Sequence, residues 1–180
     1  MKSSINILFL LFFFLALPSS CSIRLMRYNN DVDKLQNKEI TNDEFYGRYY
    51  KLKRDTYIND CSLVKCEGTY VFEDLDGRFE FYIFLKNGNF IESLKMNDYP
   101  NSITMLNNIF WQSCYRVNGK YIEVEYLNVS DWKLYNHIKS GYISGDTIIF
   151  TEIKTVQSPL LKPTKISEKF IYDSTLIYHP

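Results

Sequence analysis

The residues able to do chemistry in this chain are few. His137 and His179 are its only imidazoles, so a general base working near neutral pH would have to be one of them. His137 stands between Asn136 and Ile138 in an expected strand and His179 is next to last, and neither position sets a base beside a nucleophile and an orienting group. Glu123 and Glu125 are spaced to share one face of a strand, where two carboxylates can divide acid and base work. The plainer reading is a solvated outer face, with Ile122, Val124 and Tyr126 pointing inward. Glu73-Asp74-Leu75-Asp76-Gly77 gathers three carboxylates beside a glycine but lacks the spaced oxygen ligands and closing glutamate of a calcium loop, so it reads as a turn. No histidine has a cysteine or second histidine at zinc-ligand spacing. The expectation is a non-enzymatic protein with no catalytic residues, no metal and no cofactor. Asn128-Val129-Ser130 is a glycosylation sequon only in a eukaryotic secretory protein.

Aromatic residues give the better lead. They make up 17% of the 180 residues, with Tyr and Phe dominating. A small barrel filled by its side chains binds nothing, whereas one with space at its mouth holds an apolar ligand. Tyr70, Phe72, Phe81, Phe84, Phe110, Trp111, Tyr126 and Phe150 are the candidate lining or filling residues. Trp132, in the loop sequence Asp131-Trp132-Lys133, is the candidate for contact with a protein or glycan partner, or else folds back over a barrel end. Lys plus Arg and Asp plus Glu are both 21, so no overall field draws nucleic acid, and nucleic-acid binding is not expected.

The elements that must position these residues read as strands. Asp76-Gly77, Asn87-Gly88, Asn118-Gly119 and Ser144-Gly145 are hairpin-type dipeptides, each between alternating runs. Period-two alternation is clear in 79–86 and 121–126. Strands are predicted over 46–53, 69–75, 78–86, 89–95, 110–117, 121–127, 135–143, 146–153 and 165–172. Short turns make these an antiparallel up-and-down meander, and closing eight or nine strands into a barrel removes the exposed edges. Longer connections fall at 96–109 and 154–164.

Ahead of this domain, Ile5–Leu17 is apolar, Lys2 supplies a positive charge, and Pro18-Ser19-Ser20-Cys21 follows. The run is too short to span a bilayer comfortably and reads as a cleaved export signal over residues 1–20. Leu17, Ser19, Ser20 and Cys21 resemble the lipobox of bacterial lipoproteins, with Pro18 where that family places its aliphatic residue. The resemblance implies diacylation of Cys21 and a membrane anchor in the bacterial cell envelope, at the outer membrane or periplasm; the alternative is an ordinary signal cut near Ser20. Residues 21–42 are rich in Asn, Asp, Lys and Arg and read as a flexible tether, with a short helix over 32–40 as the alternative. About 160 residues follow the signal, which suits one domain and one core over 43–180. With Cys21 acylated, Cys61, Cys66 and Cys114 remain. Cys61 and Cys66 are the candidate disulfide, stapling one small loop, and Cys114 reads as a buried apolar residue.

Gly47-Arg48-Tyr49-Tyr50, the run 82–90, the run 115–122 and Asp146-Thr147-Ile148-Ile149-Phe150 together resemble the strand signatures of small lipocalin-like lipoproteins of Bacteroidetes, over about 45–172. Tyr49 stands where that family commonly has the tryptophan of Gly-x-Trp. The resemblance implies a calycin-type barrel with an interior able to take a small hydrophobic or amphipathic ligand. A cell-envelope interaction module, docking a protein or glycan through Trp132 and the long loops, is the alternative function.

Overall fold

The computed structural model describes residues 20–52, 63–93, 95–99, 110–131, 133–157 and 161–177. The chain divides into two compact units, one of residues up to Tyr49 with Asn128–Tyr135, the other of Tyr50–Leu127 with Asn136–Pro180.

The first unit carries two helices, α1 (Ser20–Gln36) and α2 (Asn42–Tyr49). Leu25, Tyr28 and Asp31 recur at helical spacing on α1 and are buried, as are Phe45, Tyr46 and Tyr49 on α2. The rings of Tyr28, Phe45 and Tyr49 meet at centroid distances of 5.1–5.6 Å. Asp31 accepts hydrogen bonds from Tyr49 Oη at 2.8 Å and Arg48 Nη1 at 2.9 Å, and the two hold its carboxyl below the ordinary range. The stretch expected to be a tether is therefore helical through Gln36.

The expected first strand over 46–53 is also absent: its opening residues complete α2. A capping box starts that helix. Glu44 N donates to Thr41 Oγ1 at 3.2 Å, while Thr41 N donates to Glu44 Oε2 at 2.8 Å. This reciprocal pair satisfies two helix-start donors that a strand would have to use elsewhere. Tyr49 thus ends a helix and does not open a barrel strand.

The barrel strands are β1 (Gly68–Glu73), β2 (Phe79–Phe84), β3 (Asn89–Ser93), β4 (Phe110–Asn118), β5 (Tyr121–Ser130), β6 (Lys133–Ser144), β7 (Thr147–Thr155) and β8 (Thr164–Ile177), all in the second unit except the end of β5 and the start of β6, which fall in the first. They form a closed barrel in sequence order, with β1 antiparallel to both β2 and β8. The all-β meander closing on itself is the observed architecture. All four turn glycines have positive φ, from 56° at Gly119 to 83° at Gly88, as primed hairpin turns demand.

Register fixes the two faces. Tyr70 pairs with Tyr82 and with Tyr172, Phe84 with Phe90, Tyr115 with Val124, and Ile148 with Phe170. Paired residues share a face, and these side chains converge on the interior. The β6–β7 register shifts between Ser140 and Gly141. A Cβ on Gly141 would lie 2.0 Å from the Ile149 carbonyl oxygen, so this close backbone approach needs glycine.

Candidate functional site

The inward faces of the strands build two different environments. In the first, Tyr70, Phe84, Phe90, Tyr115, Val117, Ile122, Val124, Ile143, Ile148, Phe150 and Phe170 form one buried cluster. Phe84 meets Tyr115 edge-on at 4.9 Å, and Phe150 meets Phe170 edge-on at 5.7 Å. The two buried hydroxyls are used: Tyr70 Oη accepts from Lys65 N at 2.9 Å, and Tyr115 Oη donates to the Leu85 carbonyl at 2.8 Å. This half of the interior is packed with side chains.

The second environment is charged. Lys139, on β6, has only 7% of its side chain exposed, and its ammonium lies 2.8 Å from Glu168 Oε2 on β8 and 3.4 Å from Glu80 Oε1 on β2. It also donates to Tyr82 Oη at 2.8 Å. The rings of Tyr82, Tyr126 and Phe170 surround it at 5.3, 5.5 and 5.9 Å from their centroids. Burial works against the Lys139 charge, but Glu80 and Glu168, helped by Tyr126 and Glu92, outweigh it and hold the ammonium above its ordinary pKa.

Glu92 on β3, the register partner of Tyr82, completes the group. Burial pushes its carboxyl up to about 8; Lys139 opposes this, while the nearby charge of Glu80 and a hydrogen bond to it add to the rise. Beside them His137 stacks on Tyr126 at 5.4 Å, with Nδ1 3.2 Å from the Thr155 hydroxyl, and burial lowers its pKa. Glu92, Tyr126, His137 and Glu168 each keep partial exposure, so they form the solvent-facing edge of a cluster whose centre, Glu80, Tyr82 and Lys139, is buried.

The predicted lining residues distribute unevenly. Tyr70, Phe84 and Phe150 belong to the packed half, and Phe72 and Tyr126 are half-buried against it. Phe81 faces the other way. It alternates with Tyr82 and Phe84 along β2 and packs with Leu176, Val71, Phe79 and Met96 outside the barrel interior. Its assignment to the lining is corrected by strand periodicity. Phe110 and Trp111 lie in β4, Trp111 as the register partner of Glu92, but their side chains fall outside the described residues. So do Trp132, Cys61, residues 1–19 and the side chain of Cys21, and with them the export-signal, acylation, disulfide and loop-contact readings. Cys66 Sγ lies 3.8 Å from Tyr115 Oη, and Cys114 is buried.

The outer face holds a second correction. Glu123 and Glu125 do face away from Ile122 and Val124, yet they are 6% and 0% exposed. Glu125 Oε2 accepts from Lys51 N at 2.7 Å and Leu52 N at 2.6 Å, and Oε1 accepts from Asn136 Nδ2 at 2.6 Å. Asn136 Oδ1 in turn accepts from Gln157 Nε2 at 2.6 Å. The carboxylate anchors the backbone at Lys51 and Leu52, which is why it is not solvated. Glu123 is instead held by Arg116, whose Nε donates at 2.9 Å.

At the 73–77 turn, Asp74 Oδ1 accepts from the backbone of Asp76 and Arg78, each at 3.0 Å, and Oδ2 from Lys95 Nζ at 3.0 Å. Those oxygens are committed to the turn. An open groove of about 890 Å³ runs along Val71, Phe79, Tyr99 and Ile171, with Tyr99 Oη hydrogen-bonded to Asp173.

No family model, curated protein or solved structure matches the chain. Sequence reasoning missed the charged cluster. Its signal lay in the alternation itself, since Glu80, Glu92 and Glu168 share strand parity with Tyr82, Phe90 and Phe170.

Proposed function

We propose that this chain is a non-enzymatic, membrane-anchored lipoprotein whose lipocalin-like barrel binds a small amphipathic ligand. The observation that supports ligand binding is the division of one closed barrel interior into a packed aromatic half and a charged, partly solvent-reached half around Lys139. Burying a charge costs free energy unless it is paired, and replacing such a group by apolar residues of similar volume is often neutral or stabilising. A cluster of this kind is therefore costly filler and a sensible recognition surface. An amphipathic molecule would lay its apolar part against Phe72, Tyr126 and the edge of the aromatic cluster, with its polar end at the charged groups. The anchor rests on the apolar run 5–17 and the Ser19-Ser20-Cys21 junction.

Two experiments test this reading. Titration with the neutral fluorescent probe N-phenyl-1-naphthylamine is expected to give saturable enhancement together with a rise in melting temperature, because a ligand that binds only the folded state stabilises it. No saturable binding by any lipophilic probe would overturn the binding part. Mass spectrometry of the native protein is expected to find Cys21 N-terminal and acylated, and an unmodified Cys21 there would overturn the anchor.

A further inference from the structure

We infer that Glu80 and Glu92 form a proton-operated clasp between β2 and β3: sharing a proton they seat the end of β3, and on losing it Glu92 turns out to solvent and that end loosens. No ligand enters the device, so it stands or falls apart from the binding proposed above.

The clasp follows from what the two side chains can exchange. Two carboxylates offer acceptors only and cannot hydrogen-bond each other, so the bond between Glu92 and Glu80 holds a proton. Among the described residues, the groups facing that pair are Tyr82 from β2, Tyr126 from β5, His137 and Lys139 from β6, and Glu168 from β8. Lys139 is the one cation, and it is divided between Glu80 at 3.4 Å and Glu168 at 2.8 Å. With all three carboxyls ionised, negative charge would be in excess around buried Glu80, Tyr82 and Lys139. A proton on Glu92 removes the excess, and burial first, then Glu80, push that carboxyl up to about 8. The neighbours move away from this range. Burial raises Tyr82 and Tyr126 above 10 and lowers His137 below 6.5, while Lys139, despite burial, is held above 10.5 by the carboxyls.

The backbone makes this place a joint. Glu92 stands on the last rung of the β2–β3 ladder, after Phe84 with Phe90 and Ile83 with Ile91. The next pair is Phe79 with Met96, three residues on from Tyr82 along β2 but four on from Glu92 along the other side. The extra residue is a bulge, where the ladder is interrupted. Across it Phe81 N donates to Ser93 Oγ at 2.9 Å, a side-chain link in place of a backbone rung. Glu80 is buried against Lys139, whereas Glu92 keeps partial exposure, so Glu92 is the member of the pair that can reach water once ionised. Its folded pKa lies above the ordinary 4.5, so the seating is present below about 8 and is lost as pH rises through that value.

The test is amide hydrogen exchange on the full mature chain at pH 6.5 and pH 9.5, each rate corrected for the intrinsic rate of its amide at that pH. Phe81 and Met96 report the joint, and Leu85, bonded to the Asn89 carbonyl, reports the turn end of the same hairpin. Protection at Phe81 and Met96 relative to Leu85 is expected to fall about tenfold between the two pH values. Glu92→Gln, whose amide donates to Glu80 without titrating, should abolish the fall. Infrared spectra at pH 6.5 should carry a protonated-carboxyl band that is gone at pH 9.5 and missing in Glu92→Gln. A relative protection that does not change with pH overturns the clasp, as does a fall that survives in Glu92→Gln. Absence of the carboxyl band at pH 6.5 overturns it as well, because the pair would then hold no proton.

Discussion

The packed half and the charged half of the barrel interior are built by the same strands, two residues apart. On β2 the inward positions run Phe84, Tyr82, Glu80; on β3 they run Phe90, Glu92; on β8 they run Phe170, Glu168. Each strand changes from aromatic to acidic in one step of its period. Tyr82 marks the boundary: its ring stacks on Phe170 at 4.2 Å, and its hydroxyl accepts from Lys139. Burying an aromatic side chain contributes about 1.5–3 kcal/mol, while an ion-paired cluster roughly breaks even at best. The aromatic half therefore holds the barrel closed, and the charged half is kept at the expense of stability. That asymmetry is the feature on which the proposed binding function rests.

The largest expected effect falls on the packed half. Phe84→Ala should cost about 4 kcal/mol in denaturant unfolding, since it deletes a fully buried ring in contact with Tyr70, Phe90 and Tyr115. A loss under about 1 kcal/mol would mean that this half is not close-packed, and the contrast would break.

Next, Lys139→Met should cost about 3 kcal/mol by leaving Glu80 and Glu168 without their cation. The folded-state pKa of Lys139 is held above its ordinary 10.5, so the stabilisation is fully present below that value and fades only as pH rises beyond it. Equilibrium unfolding should give a larger penalty at pH 9 than at pH 7, because Lys139 also holds down the pKa of Glu92, which ionises near 8 in the parent and later still without the ammonium. A variant as stable as the parent would show the cluster to be indifferent to its cation.

Glu92→Gln sharpens the comparison with the opposite sign. Its folded pKa of about 8 lies above the ordinary 4.5, so the folded chain binds more protons than the unfolded one and the parent loses stability as pH rises between those values. The glutamine variant should match the parent near pH 4.5 and exceed it by about 2 kcal/mol at pH 8, a figure already discounted for partial exposure. Parallel melting curves across that range would remove the protonated carboxyl from the site.

The smallest effect sets the floor. Lys165→Ala removes a side chain that is 84% exposed and 3.5 Å from Glu152 on the outer face, and should change stability by about 0.5 kcal/mol or less. A larger loss would mean that outer-face pairs rival the interior cluster.

The barrel strands were legible because period-two alternation and turn glycines are local signals. The strands predicted from 69–75 through 165–172 all lie within or beside β1–β8. The two helices were legible in part and were read otherwise. Thr41 and Glu44 form the T-x-x-E of a capping box, and Leu25, Tyr28, Val32 and Leu35 recur at helical spacing, but the polar residues between them made the segment look like a tether. Phe81 could have been removed from the lining by parity alone, since it cannot share a strand face with Phe84.

By itself, the sequence determined the all-β class, the meander order and which residues of each strand share a face, because backbone sterics and side-chain alternation act over a few residues. Only the tertiary structure decided which face turned inward at each charged position and who met whom. Glu80, Glu92, Lys139 and Glu168 come from four strands, and Glu125 finds Lys51 and Leu52 across more than seventy residues of chain. Ion pairing and burial depend on distance in space, and closing the barrel is what converts a pattern along each strand into a charged cluster between them.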